Sequence, residues 1–426
     1  MLVPIAVAAP SDHHPLESRL FEEKSHSSFK CKTASKTLSG SFRSVGVTMT
    51  SLDLPERPRI LVITLRRLGD VLLTTPLIRT MRRGFPRARL DMLVFRDTED
   101  ILRGNPDIDH VVSMPTRPSA GETLALVRSL WRRYDLAVST QAGDRPTFFA
   151  LAAARRRIGL VPHAGKTGAW WKRHAHHIAV TAEPDGHRVT QLLRLATALG
   201  LDHAPDIVCP QNGTAGEFAP RTPYAVLHPN PFYRYKRWTD AGWRGLARGL
   251  AARGLAVVAT EGREPAEQAY IDSLWGADDP AIIRVRGRLD WAGLTALLKG
   301  AAVYIGPDTS MTHLAAGSGC PTIALYGPTS PRLIGPWPVG GLAQPWDHAG
   351  TIQHRGNVWV VQNPLPCLPC EKLGCEGHLE SYSRCLDELP LRSVLNVVDE
   401  ALGRSPPSGT SQQMREVRDS WRSGVR

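Results

Sequence analysis

The feature that most constrains this chain is an alternation, repeated in two series, of short runs rich in branched apolar residues with longer amphipathic segments. In the first series the runs at 60–64, 90–95, 111–114, 136–140 and 158–161 read as strands. Gly69 opens a helical stretch over 71–81, and 122–134 reads as a further helix. The second series has strands at 225–228, 255–260, 282–285, 303–306 and 322–326. Its clearest helix covers 239–253, where Trp243, Leu246, Ala247 and Leu250 fall on one face, Thr239 or Asp240 can cap the start, and Gly254 can end it. Strands alternating with helices predict a parallel sheet covered on both faces.

Between the series, 204–223 carries Pro205, Pro210, Gly213, Gly216, Pro220 and Pro223, the composition of a linker. The expected organisation is therefore α/β, with two doubly wound, Rossmann-like domains at 57–205 and 224–404 joined by 206–223. A length of 426 residues suits two domains. Residues 1–56, rich in Ser, Lys and His without a sustained period, read as a disordered leader in which Met49 is a second candidate start. Residues 405–426 read as a flexible tail.

Composition narrows the class. With 42% hydrophobic and 22% charged residues the chain has material for a core, which excludes a wholly disordered or fibrous protein. No run reaches the roughly 18 apolar residues needed to span a bilayer. The apolar start at 1–10 lacks the basic flank of a signal peptide, so a cytoplasmic location is expected, with attachment to a membrane surface left open. The formal net charge is +12. Nine arginines between Arg57 and Arg89 share their stretch with only one acid, Asp70, predicting a first domain that is electropositive near its mouth and able to attract polyanions or an anionic membrane. No nucleic-acid-binding module is recognisable, so nucleic acid is not an expected partner.

In open parallel sheets ligands bind beyond the carboxyl ends of the strands, so the turns there carry the chemistry. In Leu68-Gly69-Asp70-Val71 the glycine permits a sharp turn and Asp70 faces the crevice. It is a candidate general base toward a hydroxyl, the alternative being simple complementation of the helix dipole. In the turn from Gly306 to His313, Asp308, Thr309 and Ser310 crowd the start of a helix, as a phosphate or diphosphate site requires. An ordinary helix cap is the alternative. Lys236, in Lys236-Arg237-Trp238, is a candidate phosphate-binding point charge or an ordinary surface lysine. Cys367, Cys370, Cys375 and Cys385, spaced C-x2-C-x4-C-x9-C, suit a structural zinc or iron-sulfur cluster or else reduced, packed thiols. Asp107-Ile108-Asp109 follows Gly104-Asn105-Pro106 and reads as a turn rather than a metal motif.

These segments together resemble glycosyltransferase family nine, the bacterial heptosyltransferases that build the lipopolysaccharide inner core. The resemblance runs through 59–63 and 69–78, 90–95, 104–109, 236–238, 306–316 and 326–329, and so spans about residues 57–402. The Leu-Leu-Thr-Thr-Pro form of the opening helix is most similar to the heptosyltransferase III type. The resemblance implies a GT-B fold, with two domains facing across a cleft, and inverting, metal-independent transfer from ADP-heptose. It implies a lipopolysaccharide core or lipid A acceptor and an enzyme able to sit peripherally on the inner membrane. By position, Asp70 becomes the general base, while Lys236, Asp308, Thr309, Ser310 and His313 hold the donor and Glu267 is a candidate for its nucleoside part. Arg66 and Arg67 stand where many relatives carry two small hydroxyl residues and are candidates for the acceptor side. Two other readings remain at this stage: a related transferase using another sugar nucleotide for O-antigen or capsule, and a noncatalytic protein that binds lipid or polyanion.

Overall fold

The computed structural model describes residues 53–404, except 164, 166, 167, 277, 278 and 280, and all of these belong to one compact unit. Most of the expected leader and the expected tail at 405–426 lie outside the described residues. The first sheet contains β1 (Arg59–Thr64), β2 (Arg89–Phe95), β3 (His110–Met114), β4 (Tyr134–Ser139), β5 (Ala154–Val161) and β6 (Ile178–Thr181). They are all parallel, in the order β3-β2-β1-β4-β5-β6. Its helices are α1 (Leu68–Leu72), α2 (Thr75–Gly84), α3 (Ala120–Leu130), α4 (Asp144–Ala153), α5 (Ala169–Ala175) and α6 (Arg188–Thr197). Residues 60–63 are fully buried, the continuous apolar run expected of a strand covered on both faces. Right-handed crossovers put α1 and α2 on one face and α3, α4 and α5 on the other. The first face is completed by α6, which packs on α2.

The second sheet contains β7 (Tyr224–Leu227), β8 (Ala256–Ala259), β9 (Ile282–Arg284), β10 (Val303–Pro307), β11 (Thr322–Leu325), β12 (Ile352–Arg355) and β13 (Val358–Val361). The order is β12-β13-β11-β10-β7-β8-β9, parallel except for the β12–β13 pair. Its helices are α7 (Asp240–Ala251), α8 (Pro265–Trp275), α9 (Trp291–Gly300), α10 (Ser310–Ser318), α11 (Pro331–Ile334), α12 (Arg384–Asp387) and α13 (Leu391–Ala401). The Thr239 hydroxyl caps α7 by accepting from Gly242 N at 3.0 Å. No helix among the described residues is long and apolar enough to cross a membrane.

Two helices differ from expectation. The stretch over 71–81 is broken into α1 and α2: Thr74 turns its hydroxyl back onto the Asp70 carbonyl at 2.8 Å, and Pro76 in the first turn of α2 has no N–H to continue the ladder. The helix expected over 122–134 stops at Leu130, because Trp131 leaves the helical region and Tyr134 opens β4. Strands β6, β12 and β13 were not anticipated.

One apolar cluster runs through both lobes, from Val62, Leu72 and Leu77 through Ile207 and Cys209 to Met311, Leu314 and Leu298. Its middle is the Pro- and Gly-rich connection, which is laced down rather than slack. Ala204 N and Val208 N donate to the hydroxyls of Thr80 and Thr75, each at 2.9 Å. At Gly213 a Cβ would lie 2.1 Å from the Ala292 carbonyl carbon, so no side chain fits there. Further on, His187 Nδ1 accepts Val189 N–H, and its Nε2 therefore donates to the Gly335 carbonyl at 2.9 Å, tying α6 to the second lobe.

Candidate active site

The two lobes meet where α1 rests on the start of α10. Gly69 makes this possible: a Cβ there would lie 3.3 Å from Ser310 Oγ and 3.4 Å from His313 Cδ2. The next residue, Asp70, is only 6% exposed and sits between two guanidinium groups. Arg66 Nε is 3.0 Å from Oδ2, and Arg188 Nε is 3.3 Å from Oδ1. The sequence reading did not anticipate Arg188. It opens α6 and anchors Nη1 on the Thr140 carbonyl at 3.1 Å, while its Nε and Nη2 have no hydrogen-bond partner. Burial pushes the Arg188 guanidinium down to about 10, against the pull of Asp70, so it remains charged at neutral pH.

Across the seam, Asp308 at the end of β10 is 7% exposed and receives Lys236 Nζ on Oδ2 at 2.5 Å. The Tyr326 hydroxyl donates to Oδ1 at 3.3 Å. Burial alone would raise the Asp308 carboxyl, but the Lys236 ammonium and His313 hold it below the usual carboxylate range. Lys236 is displaced the other way: burial works against its charge, and Asp308 outweighs that. Thr309 and Ser310 are half-buried at the start of α10, and no side chain caps that helix, which disfavours a simple Asp or Thr cap. His313, 3% exposed, lies in the field of both Asp308 and Asp70. Burial depresses its pKa, the two carboxylates oppose that shift, and its Nδ1 has no partner.

The structure thus gathers Asp70, Arg188, His313, Asp308 and Lys236 at one seam between the lobes. Arg67 joins its edge, with its guanidinium 4.7 Å from the centre of the Tyr233 ring, which stacks on Tyr235 at 5.5 Å. Glu267 stands apart from the inner cluster, in the first turn of α8 beside Asn230 and Gly262. Burial raises its carboxyl, while hydrogen bonds from Gly262 and Asn230 oppose the shift.

Other expectations need correction or go unmet. The arginine-rich stretch is not an open electropositive mouth. Arg59, Arg79, Arg82 and Arg87 pair with Asp135, Asp107, Asp109 and Glu56, acids that folding brings to them, and Arg89 pairs with Asp91 two residues on. Arg59 and Arg89 open their strands, at the end opposite the seam. No group of three or more His, Cys, Asp or Glu among the described residues is arranged to hold a metal ion. Cys367 and Cys375 are exposed and Cys385 is buried; its thiol is pushed up to about 12 by burial, with Cys370, Cys375 and Cys367 adding to the effect.

Comparison with known proteins identifies the fold and the family. The ADP-heptose LPS heptosyltransferase II of Escherichia coli superposes with a TM-score of 0.62 at 20% identity, covering 81% of this chain and 98% of that one. The Escherichia coli heptosyltransferase WaaC with ADP superposes with a TM-score of 0.61 at 20% identity, covering 80% and 99%. The fold is therefore GT-B, the architecture of a large class of glycosyltransferases. A glycosyltransferase family 9 (heptosyltransferase) model matches residues 123–341, just over half of the chain. The chain belongs to that family and is a glycosyltransferase. The lipopolysaccharide heptosyltransferase 3 of Escherichia coli K12 is 25% identical over 357 residues, which cover 80% of this chain and 97% of that protein. The lipopolysaccharide heptosyltransferase 1 of Pseudomonas aeruginosa is 26% identical over 353 residues, covering 78% and 91%.

Proposed function

We propose that the protein transfers heptose from ADP-heptose to a hydroxyl of the lipopolysaccharide inner core, with inversion at the anomeric carbon and without a metal, at the cytoplasmic face of the membrane. The observation that carries this reading is the placement of Asp70 and the Lys236–Asp308 pair on opposite walls of one seam, with His313 within the field of both. Names of relatives support the donor and acceptor: solved structures include WaaC with ADP and with ADP-2-deoxy-2-fluoro heptose, and the Escherichia coli K12 relative is a lipopolysaccharide heptosyltransferase.

In this mechanism Asp70 takes the proton of the acceptor hydroxyl as that oxygen attacks the anomeric carbon. The new C–O bond forms on the face opposite the bond to ADP, which leaves with the electron pair. Charge then grows on the diphosphate, where Lys236 and the free amides opening α10 stabilise it. Arg188 keeps the Asp70 carboxylate oriented, and Glu267 receives the nucleoside part. Arg66 and Arg67 face the acceptor. Because Asp70, Asp308 and His313 are nearly closed off, substrates enter only when the lobes part, and the connection at 206–223 is the hinge. The cysteine spacing supports a structural metal at Cys367, Cys370, Cys375 and Cys385, which elemental analysis of the purified protein decides.

The test is an assay of the purified protein with ADP-heptose, parallel ADP, UDP and GDP sugars, and truncated lipopolysaccharide cores. Heptosylated core and free ADP, unaffected by EDTA and with the opposite anomeric configuration by NMR, are expected. Turnover only with another sugar nucleotide, or loss of turnover in EDTA, would overturn the donor or the metal-independent step respectively.

A further inference from the structure

The helical layer on the far face of the first sheet takes no part in the seam. Helix α3 is barely embedded in it, with only Leu130 fully buried. Seven large apolar side chains are exposed among the described residues, and four stand in this layer: Leu124 and Trp131 along α3 and its end, Phe148 on α4 and Trp170 on α5, the last 72% exposed. Helix α4 packs against both α3 and α5, so the helices that carry these side chains form one continuous layer. Five exposed arginines lie on the same elements or at their ends: Arg128 on α3, Arg132 and Arg133 just beyond it, Arg145 on α4 and Arg155 in β5 directly after α4, with the Arg132 guanidinium 5.6 Å from the centre of the Trp131 ring. None of the five is ion-paired with a described residue, and the two acids on these three helices are already engaged. Glu122 is folded into the capping box with Ser119, and Asp144 holds Lys172 Nζ at 2.9 Å.

Two tryptophans, whose indole N–H gives each ring a polar edge, with Phe148 and arginines on the same layer, match the headgroup depth of an anionic bilayer. A twofold contact between copies would set arginines against arginines. We propose that this face docks on an anionic phospholipid surface, with Trp131, Phe148 and Trp170 entering among the headgroups and the five arginines meeting lipid phosphates. The inference rests on the proposed acceptor only for its purpose, since a lipid-borne acceptor is met by an enzyme held at the same surface.

The test is flotation of the full chain, without substrates, on vesicles of pure phosphatidylcholine and on an equimolar mixture with phosphatidylglycerol. Binding to the mixed vesicles alone is expected. Trp170→Ala with Phe148→Ala should lower the partition coefficient about tenfold. Arg128→Glu with Arg132→Glu should remove the preference for anionic lipid. Neither pair should change transfer to a detergent-free, soluble core saccharide. Absent or lipid-independent binding, binding unchanged in the variants, or variant-sensitive self-association in light scattering without vesicle binding would each overturn the proposal. Vesicle binding without heptose transfer would sink the functional reading and leave this face standing; transfer without vesicle binding would do the reverse.

Discussion

Replacing Lys236 by methionine is expected to cost stability and nucleotide affinity together, and the two losses can be separated. In the folded protein the Lys236 ammonium is the only cation bonded to the Asp308 carboxylate among the described residues, and Asp308 is 7% exposed. Removing one member of a buried pair costs about 3–5 kcal/mol when the survivor is left uncompensated. Here the Tyr326 hydroxyl remains on Oδ1 and part of the Lys236 side chain is accessible, so about 2–3 kcal/mol is the better expectation. Adding Asp308→Asn removes the stranded charge and should restore about half of that loss or more. ADP affinity should instead fall by about 10–100-fold in the single variant, the worth of a charge-assisted contact, and should not recover in the double variant. Chemical denaturation and titration calorimetry on the four members of the cycle measure both quantities. Additive stability losses, with no recovery on the second substitution, would refute the buried pair; unchanged ADP affinity would remove Lys236 from the donor site.

Arg188→Ala should lower kcat by about 10–100-fold with little change in the donor KM, because a carboxylate free to swing loses its alignment while the diphosphate cradle is untouched. Partial rescue by Arg188→Lys separates orientation from bulk, and an unchanged kcat would deny Arg188 the role. Acid should destabilise the fold through histidines held neutral: burial pushes His176, His187 and His228 down to about 4. Each binds its proton more readily when unfolded, so stability is full above about pH 6.5 and falls as pH drops toward 4. His187→Gln should flatten part of that decline in urea titrations across pH, and a slope identical to the parent's would exclude His187 from it.

Much of the fold was legible because strands buried on both faces must be apolar over their whole length, and ten such runs stand out between residues 60 and 326. What escaped has physical causes. Strand β6 is short and only half-buried along its length, so its composition carries little signal. Strands β12 and β13, four residues each, form a hairpin at the sheet edge after a long irregular stretch. Apolar periodicity continues smoothly through Leu73 and Thr74, while the break there is made by a hydroxyl and a proline. At the site, Asp70, Lys236, Asp308 and His313 were visible as turn residues at strand ends. Arg188 lies in an equivalent turn, after β6, but its pairing with Asp70 is a tertiary fact that no local spacing encodes. Arg59, Arg79 and Arg82 show the converse, since their neighbours in sequence lack the acids that neutralise them in space.

The central claim is that Asp70 performs the proton transfer opposite an independent nucleotide cradle. Its most direct measurement pairs the turnover of Asp70→Asn with the affinity of that variant for ADP. Turnover is predicted to fall by about 10²–10⁴-fold while ADP binds within about threefold of the parent. Turnover within tenfold of the parent, or ADP affinity lost in step with it, would contradict the account.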